Sequence, residues 1–571
     1  MDLKHPLFNV PRINTVQEMI LNSSREFGSK IAMEDLSPTP LGKVTFDEML
    51  DKILRLGAAL KDLGVKERTH IAVIGENRVQ WSLTYLTAMA FNYVVVPIDR
   101  NLTSNEILNI IYESGSEVIF FTKSFNNLMD EEAVAIKKLK YKISMDLVAE
   151  EDGFISMVNL INNSKPVKPG ELPKINPDDM AEIIFTSGSL GRAKGVMLSQ
   201  RNIATNLVSM TSMIEITKAD RFLSVLPMHH KYECTCGMLC PLYRGASVHY
   251  ARSLKTIVDD IQTVKATILL GVPLLFDKMF KRISKTIKDD KVKSKIVPPL
   301  VKATGFLQRV GMKDIKKKVF KEMHEKFGGH VRIFIAGGAA PDPEVAKGLR
   351  DFGFTFIQGY GLTETAPIVA LNRLVAFKDE AAGLPLPGVE LKIAEPDADG
   401  VGEVLVKGNN VMIGYYKNEE LTRQAFQDGY FKTGDLGYID SDGFLHIRGR
   451  QKNVIIASNG KNVFPEEIED ILNRNPLVLE SFVFGEEDSK HTEVIAAQIV
   501  LNAETLIEYS DKNQIKIDQE MMHKLVADIV KEANKHLAAY KQIKKFYLRE
   551  KEFEKTTTQK IKRYLVKNNE H

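Results

Sequence analysis

Short apolar runs alternate with longer segments of helical period up to about residue 450, and few architectures accept that pattern. HIAVIG (70–75), YVVVPI (93–98), EVIFFT (117–122) and TILLGV (267–272) have the nearly unbroken apolar character of strands buried on both faces. Between such runs, Phe46–Leu63 and Thr103–Ser114 repeat apolar residues at helical spacing. Alternation of this kind predicts α/β layers built on parallel sheet. After about residue 385 short strands punctuated by Gly and Asp take over (VELKIAE, GEVLVKG, GYIDSDGFLHIRGR), and Asp442–Gly443 predicts a hairpin. From about residue 453 a helix is expected over Pro465–Asn475, strands over Ser481–Gly485 and Val494–Leu501, and a helix over Met521–Ala538. The expected fold is therefore α/β: a large N-terminal domain, 1–451, of α/β layers with a small β-rich portion, and a smaller, mobile C-terminal α+β domain, 452–571.

A length of 571 residues exceeds what one core supports, and 44% hydrophobic with 26% charged residues is the balance of a globular protein. The stretch MDLKHPLFNVPRINTV lacks a signal-like apolar run, and nothing approaches the roughly 18 apolar residues of a membrane span, so a cytoplasmic location is expected. Cys234, Cys236 and Cys240 follow His229 and His230 closely, but no second Cys/His pair exists to complete a zinc site. Buried thiols acting as small hydrophobes are the expectation. Residues 278–326 hold 16 Lys/Arg against 5 Asp/Glu, a local net of +11 in a chain of +3. Apolar residues are interleaved there, which suits a peripheral contact with anionic lipid on the inner face of a membrane. No nucleic-acid partner is expected.

Three motifs carry chemistry. FTSGSLGRAKGVMLSQRN (185–202) follows an apolar strand and packs Thr186, Ser187, Gly188, Ser189, Gly191, Arg192, Lys194 and Gly195 into a turn whose backbone N–H groups, hydroxyls and ammonium could cradle phosphate. Its spacing is not that of a Walker loop. FIQGYGLTETAP (356–367) presents Tyr360 between glycines, as a base-stacking aromatic on a loop would be, with Thr363 and Glu364 as oxygen ligands for Mg²⁺. Upstream, IFIAGGAAP (333–341) runs a strand into Gly337–Gly338, where a planar ring could lie on bare backbone. In GYFKTGDLGYIDSDGFLHIRGRQKN (429–453), Asp435 could accept both hydroxyls of a ribose.

In this order the motifs resemble the adenylate-forming superfamily of acyl-CoA synthetases, luciferases and peptide-synthetase adenylation domains, and the resemblance spans nearly the whole chain. It implies ATP, Mg²⁺ and coenzyme A as cofactor and co-substrates. It implies nucleotide contacts from Thr186, Ser187, Gly188, Ser189, Gly191, Lys194, Gly337, Gly338, Ala339, Gln358, Gly359, Tyr360, Gly361, Thr363, Asp435 and Arg450. Glu364 and Thr186 are implied as metal ligands and catalytic groups, Lys452 as the hinge, His230 in LPMHH as the residue at the acyl–pantetheine junction, and Lys560 in EKTTTQKIKRYLV as the adenylation lysine. The stretch GVPLLFDKMFKRISKTIKDD and the LP-x-x-H-x-x-E pattern of LPMHHKYE are similar to long-chain fatty acyl-CoA synthetases. The expected activity is a long-chain fatty acid–CoA ligase forming acyl-AMP, then acyl-CoA, AMP and pyrophosphate. A carrier-protein phosphopantetheine is the alternative acceptor, and a non-catalytic acyl or nucleotide sensor the remote alternative. Leu190, Ala193 and Gln559 depart from the family's usual Thr, Pro and Gly, which removes one hydroxyl and one proline and stiffens the approach of Lys560, while the charges of Lys194 and Lys560 stay in place.

Overall fold

A computed structural model describes residues 6–131, 133–151, 153–186, 193–312, 314–457, 461–487, 493–556 and 560–567. The chain divides into two compact units: Met1–Glu390 with Val406–Phe431, and Leu391–Leu405 with Lys432–His571.

The first unit carries two large sheets, one of nine strands and one of eight among the described residues. The expected apolar runs are strands at His70–Ile74, Val94–Pro97, Val118–Phe121 and Ile268–Gly271. Ile71 pairs with Val95 on one side and Val118 on the other, both parallel. In the nine-stranded sheet, Ile268 pairs in parallel with Phe222 and Ile333, and Ile333 with Thr355. That register brings Gly271 and Ala336, at the carboxyl ends of their strands, side by side with Gln358 in the strand Thr355–Gly361. In open α/β sheets such ends are where ligands bind.

Helices cover the sheets because their apolar residues share a face. Over Phe46–Asp62 the buried residues include Phe46, Met49, Ile53, Leu56 and Leu60, and Thr45 with Glu48 closes a capping box at the start. Thr103 and Glu106 do the same for Ser104–Ser114. Among the described residues no helix is long and apolar enough to cross a membrane.

The second unit has the expected hairpin, Tyr430–Ile439 against Leu445–Arg450, and a helix Pro465–Asn473 beside strands Val478–Glu487 and Glu493–Leu501. A third strand, Lys545–Arg549, joins the sheet in parallel and had no clear sequence signal. The border between the units at Phe431/Lys432 lies upstream of Lys452, which is exposed on the turn Gln451–Asn453.

Candidate active site

The phosphate-type motif is a β-hairpin. Strand Met180–Thr186 runs antiparallel to Lys194–Ser199, and Thr186 faces Lys194 as the last pair. Ser187, Gly188, Ser189, Leu190, Gly191 and Arg192 lie outside the described residues. At the hairpin's mouth the Lys194 ammonium sits 3.1 Å from Glu364 Oε1 and donates to the Tyr415 hydroxyl at 2.8 Å. Tyr415 in turn donates to Glu364 Oε1 at 3.1 Å, so three side chains from three distant segments close on one corner. Glu364 stands on the turn Thr363–Thr365, whose carbonyl at Glu364 also accepts from the N–H of Met412. Gly414–Tyr415 is a short strand paired to Met197 and Val196, which fixes Tyr415 against the same hairpin. Gly195 belongs there because a Cβ would come within 2.9 Å of Ile183 and 3.2 Å of Tyr416. Glu364 and Thr186 offer a carboxylate and a hydroxyl, the oxygen donors Mg²⁺ takes, so the residues present fit that ion.

Tyr360 lies on a strand, Thr355–Gly361, rather than on the loop expected from its flanking glycines. The glycines answer to the neighbouring antiparallel strand: a Cβ at Gly361 would sit 2.0 Å from the Pro367 carbonyl oxygen, and one at Gly359 2.9 Å from Leu371. Gln358 is buried, its amide donating to the carbonyls of Asp379 and Ala381, and its backbone carbonyl accepts from the N–H of Asn372 at 2.9 Å. Gly337 follows strand Ile333–Ala336, and a Cβ there would meet the Tyr232 ring at 2.7 Å. Gly338, at φ +85°, and Ala339 are exposed beyond it.

Tyr232 opens a π-helical turn, Tyr232–Leu239, which carries Cys234 and Cys236 inward and leads into Cys240. Burial pushes the Cys234 and Cys240 thiols up to about 12, so they are held as neutral, unreactive groups. Between this turn and Gly359 runs a narrow apolar cavity of about 30 Å³, lined among others by Met210, Phe222, Tyr232, Cys236 and Leu371. None of its thirteen lining residues is charged.

Just before the turn, His229 lies against half-buried His230 (ring centroids 4.3 Å apart, planes tilted by 40°) and 3.3 Å from Asp99. The next residue, Lys231, is fully buried, 2.5 Å from Glu182, and Tyr85 donates to the same carboxylate at 3.1 Å. This pair ties the His229–His230 turn to the strand that ends in Thr186. Glu233 is also buried, and that burial pushes its carboxyl up to about 8, neutral at pH 7. Sequence reasoning missed Tyr415, Lys231 and Glu182; a glutamate inside the otherwise apolar run Ala181–Phe185 was the available signal for the last.

In the second unit, Asp435 is buried and pairs in register with Arg450, whose Nε lies 2.8 Å from Asp435 Oδ1. Arg450 also donates to the Thr433 carbonyl at 3.1 Å. Lys560 joins this group. Its ammonium is held below the usual range by removal from water, with Arg450 acting the same way and Asp435 and Glu466 opposing both. The residue as a whole is exposed. Its backbone N–H donates to Thr556 Oγ1 at 3.2 Å, while Gln559 lies outside the described residues.

Residues 21–416 match the AMP-binding enzyme family, and residues 467–560 match the AMP-binding enzyme C-terminal domain. The chain belongs to this family of adenylate-forming enzymes. It is 27% identical to a long-chain-fatty-acid–CoA ligase of Mycobacterium bovis, over 98% of this chain and 96% of that one. It is 29% identical to long chain acyl-CoA synthetase 1 of Arabidopsis thaliana, over 81% and 74%. A long-chain-fatty-acid–[acyl-carrier-protein] ligase of the same plant is 26% identical over 83% and 75%. An anthranilate CoA ligase in complex with anthranoyl-AMP shares the fold, with a TM-score of 0.78 at 20% identity over 98% of both chains.

Proposed function

We propose that this protein is a long-chain fatty acid–CoA ligase that joins a fatty carboxylate to AMP at the expense of ATP and then passes the acyl group to coenzyme A. The observation that carries the reading is the uncharged cavity starting at Gly359, one residue from Tyr360 and in the same unit as the Lys194–Glu364 corner. An amino-acid substrate would leave its ammonium unpaired there, whereas an alkyl chain gains by burial.

In the first step a carboxylate oxygen attacks the α-phosphorus and pyrophosphate leaves. Lys194 and the hairpin mouth neutralise the phosphate oxygens, and Tyr360 stacks the adenine near the Gly337–Gly338–Ala339 backbone. Asp435 accepts the ribose hydroxyls, and Arg450 holds Asp435 in place while offering its guanidinium to ribose or phosphate. Lys560, drawn into the same cluster, meets the charge growing at the α-phosphate. Glu364 and Thr186 would hold Mg²⁺, which supplies positive charge to the leaving pyrophosphate. In the second step the thiol sulfur attacks the acyl carbon and AMP leaves, with His230 at the junction of acyl group and pantetheine. Rotation of the C-terminal domain, 452–571, about Lys452 separates the two steps.

A carrier-protein phosphopantetheine is the second acceptor to be tested, because one of the relatives bears that name. Residues 278–326 give such an enzyme a peripheral lipid contact. Lys560→Ala should abolish acyl-AMP formation while thioester formation from supplied acyl-AMP continues; equal loss of both half-reactions would remove Lys560 from the adenylation step.

A further inference from the structure

Two glutamates lie in the core of the second unit, Glu480 at 8% exposure and Glu469 at 9%, although burying a carboxylate is unfavourable unless it is paired. Each holds a cation from one stretch of chain, the arm that runs from Phe553 to Val566 and carries Lys560. On the incoming leg, Glu480 Oε1 accepts from the Phe553 N–H at 2.7 Å, and Glu480 Oε2 lies 2.6 Å from the Lys555 ammonium. On the outgoing leg, the Arg563 guanidinium donates to Glu469 Oε2 and, at 3.2 Å, to the Val483 carbonyl. Glu469 Oε1 accepts from the Val483 N–H at 2.7 Å. Strand Val478–Glu487 ends the three-stranded sheet, so these bonds also satisfy its open edge at Val483.

Apolar contacts stand beside the charges. Phe553 and Val566 pack with Phe482 and Phe484 on one face of the sheet, whereas Val483 points to the other face, among Ile468 and Leu472 of helix Pro465–Asn473. Between the legs, Lys555 and Ile561 form an antiparallel bridge, and the Thr556 N–H donates to the Lys560 carbonyl at 2.8 Å. Lys560 therefore stands on a short arm fastened on both legs.

We infer that Glu480 with Lys555, and Glu469 with Arg563, are positioning pairs for Lys560: two buried carboxylates that clamp the arm so that its ammonium reaches one fixed place. The inference rests on the reading of Lys560 as the adenylation lysine. A lysine side chain has about 2 kcal/mol of rotamer entropy to lose, and a charge growing on phosphate is stabilised best by a cation already in place. With the backbone fixed on both legs, only the side chain is left to order. Holding the core together would not require charge, because an apolar pair of similar volume does that as well or better. The planar fork of Arg563, spanning Glu469 and Val483, adds a fixed direction to the arm.

The test measures the two half-reactions separately on the full-length protein: acyl-AMP formation from fatty acid and ATP, and thioester formation from supplied acyl-AMP and coenzyme A. Amide hydrogen exchange of the unliganded protein is followed alongside. Arg563→Met should lower kcat for acyl-AMP formation at least about tenfold, change KM for ATP less than about twofold, and leave thioester formation unchanged. Arg563→Lys keeps the charge, loses the fork and should recover part of the rate. In Arg563→Met the hydrogen-bonded amides of Lys560 and Lys562 should exchange at least about tenfold faster, while those of strand Glu493–Leu501 stay slow. Should that variant unfold because Glu469 is left bare, Arg563→Met/Glu469→Gln removes the charge together with its partner and carries the same expectations. Faster exchange in the arm with acyl-AMP formation unchanged overturns the clamp and leaves the ligase reading intact. So do equal losses in both half-reactions, which mark a pair that only stabilises the fold. Wild type that forms no acyl-AMP from any fatty acid overturns the ligase reading, and the clamp's purpose with it.

Discussion

Replacing Lys231 by Met should destabilise the first unit by about 3–5 kcal/mol, because the change leaves Glu182 as a buried carboxylate without its cation. Both side chains are only 1% exposed, so water cannot take over the role. Total stabilities run to about 5–15 kcal/mol, which makes this a large share. The change in melting temperature is smaller than the energy suggests. Unfolding entropy is roughly 2.1 cal/mol/K per residue, and the unit has roughly 400 residues, so each kcal/mol moves Tm by only about 1 °C. The expected fall is therefore about 3–6 °C. The assay is built into the site: Trp81 is the one tryptophan of the chain, and its ring stacks on Tyr85 at 5.8 Å. Its fluorescence in a thermal scan reports the surroundings of the ion pair directly. The control is the triple variant Tyr85→Phe/Glu182→Leu/Lys231→Met, which removes every polar partner together and should recover most of the loss. A single variant melting within about 1 °C of wild type, or a triple variant no better than the single, would refute the reasoning.

Glu233 gives a pH dependence. Its folded pKa is raised to about 8 by burial, so the folded state keeps a proton that the unfolded chain releases from about pH 4.5 upward. Stability from this group is fully present below about pH 4.5 and is lost as pH rises to about 8; Glu233→Gln should flatten that slope by a few kcal/mol, read from urea midpoints across the window. Tyr415→Phe removes a hydroxyl that bonds both Lys194 and Glu364. Hydrogen bonds to charged groups are worth about 1.5–3 kcal/mol, so kcat/KM for ATP should fall roughly tenfold or more, and an unchanged value would detach Tyr415 from the corner.

How much of this was legible beforehand depended on whether the signal was local. The runs at 70–75 and 117–122 read as strands because a strand buried on both faces must be apolar throughout. Thr45 and Glu48 sit three residues apart, so a helix start is visible in sequence. The hairpin at Asp442–Gly443 is local too. Gly359 and Gly361 predict a loop because glycine is a poor strand former, yet their lack of a Cβ is what lets Pro367 and the strand Ile368–Leu371 approach. Nothing local could reveal that contact. The same holds for Lys231 and Glu182, 49 residues apart, and for Tyr415, 221 residues from Lys194.

The most direct test of the ligase account is pyrophosphate release with ATP, Mg²⁺ and fatty acids from short to long, with and without coenzyme A. The account predicts turnover that depends on coenzyme A and rises toward long chains. Absence of stimulation by any fatty acid, in protein that still binds ATP, would contradict it.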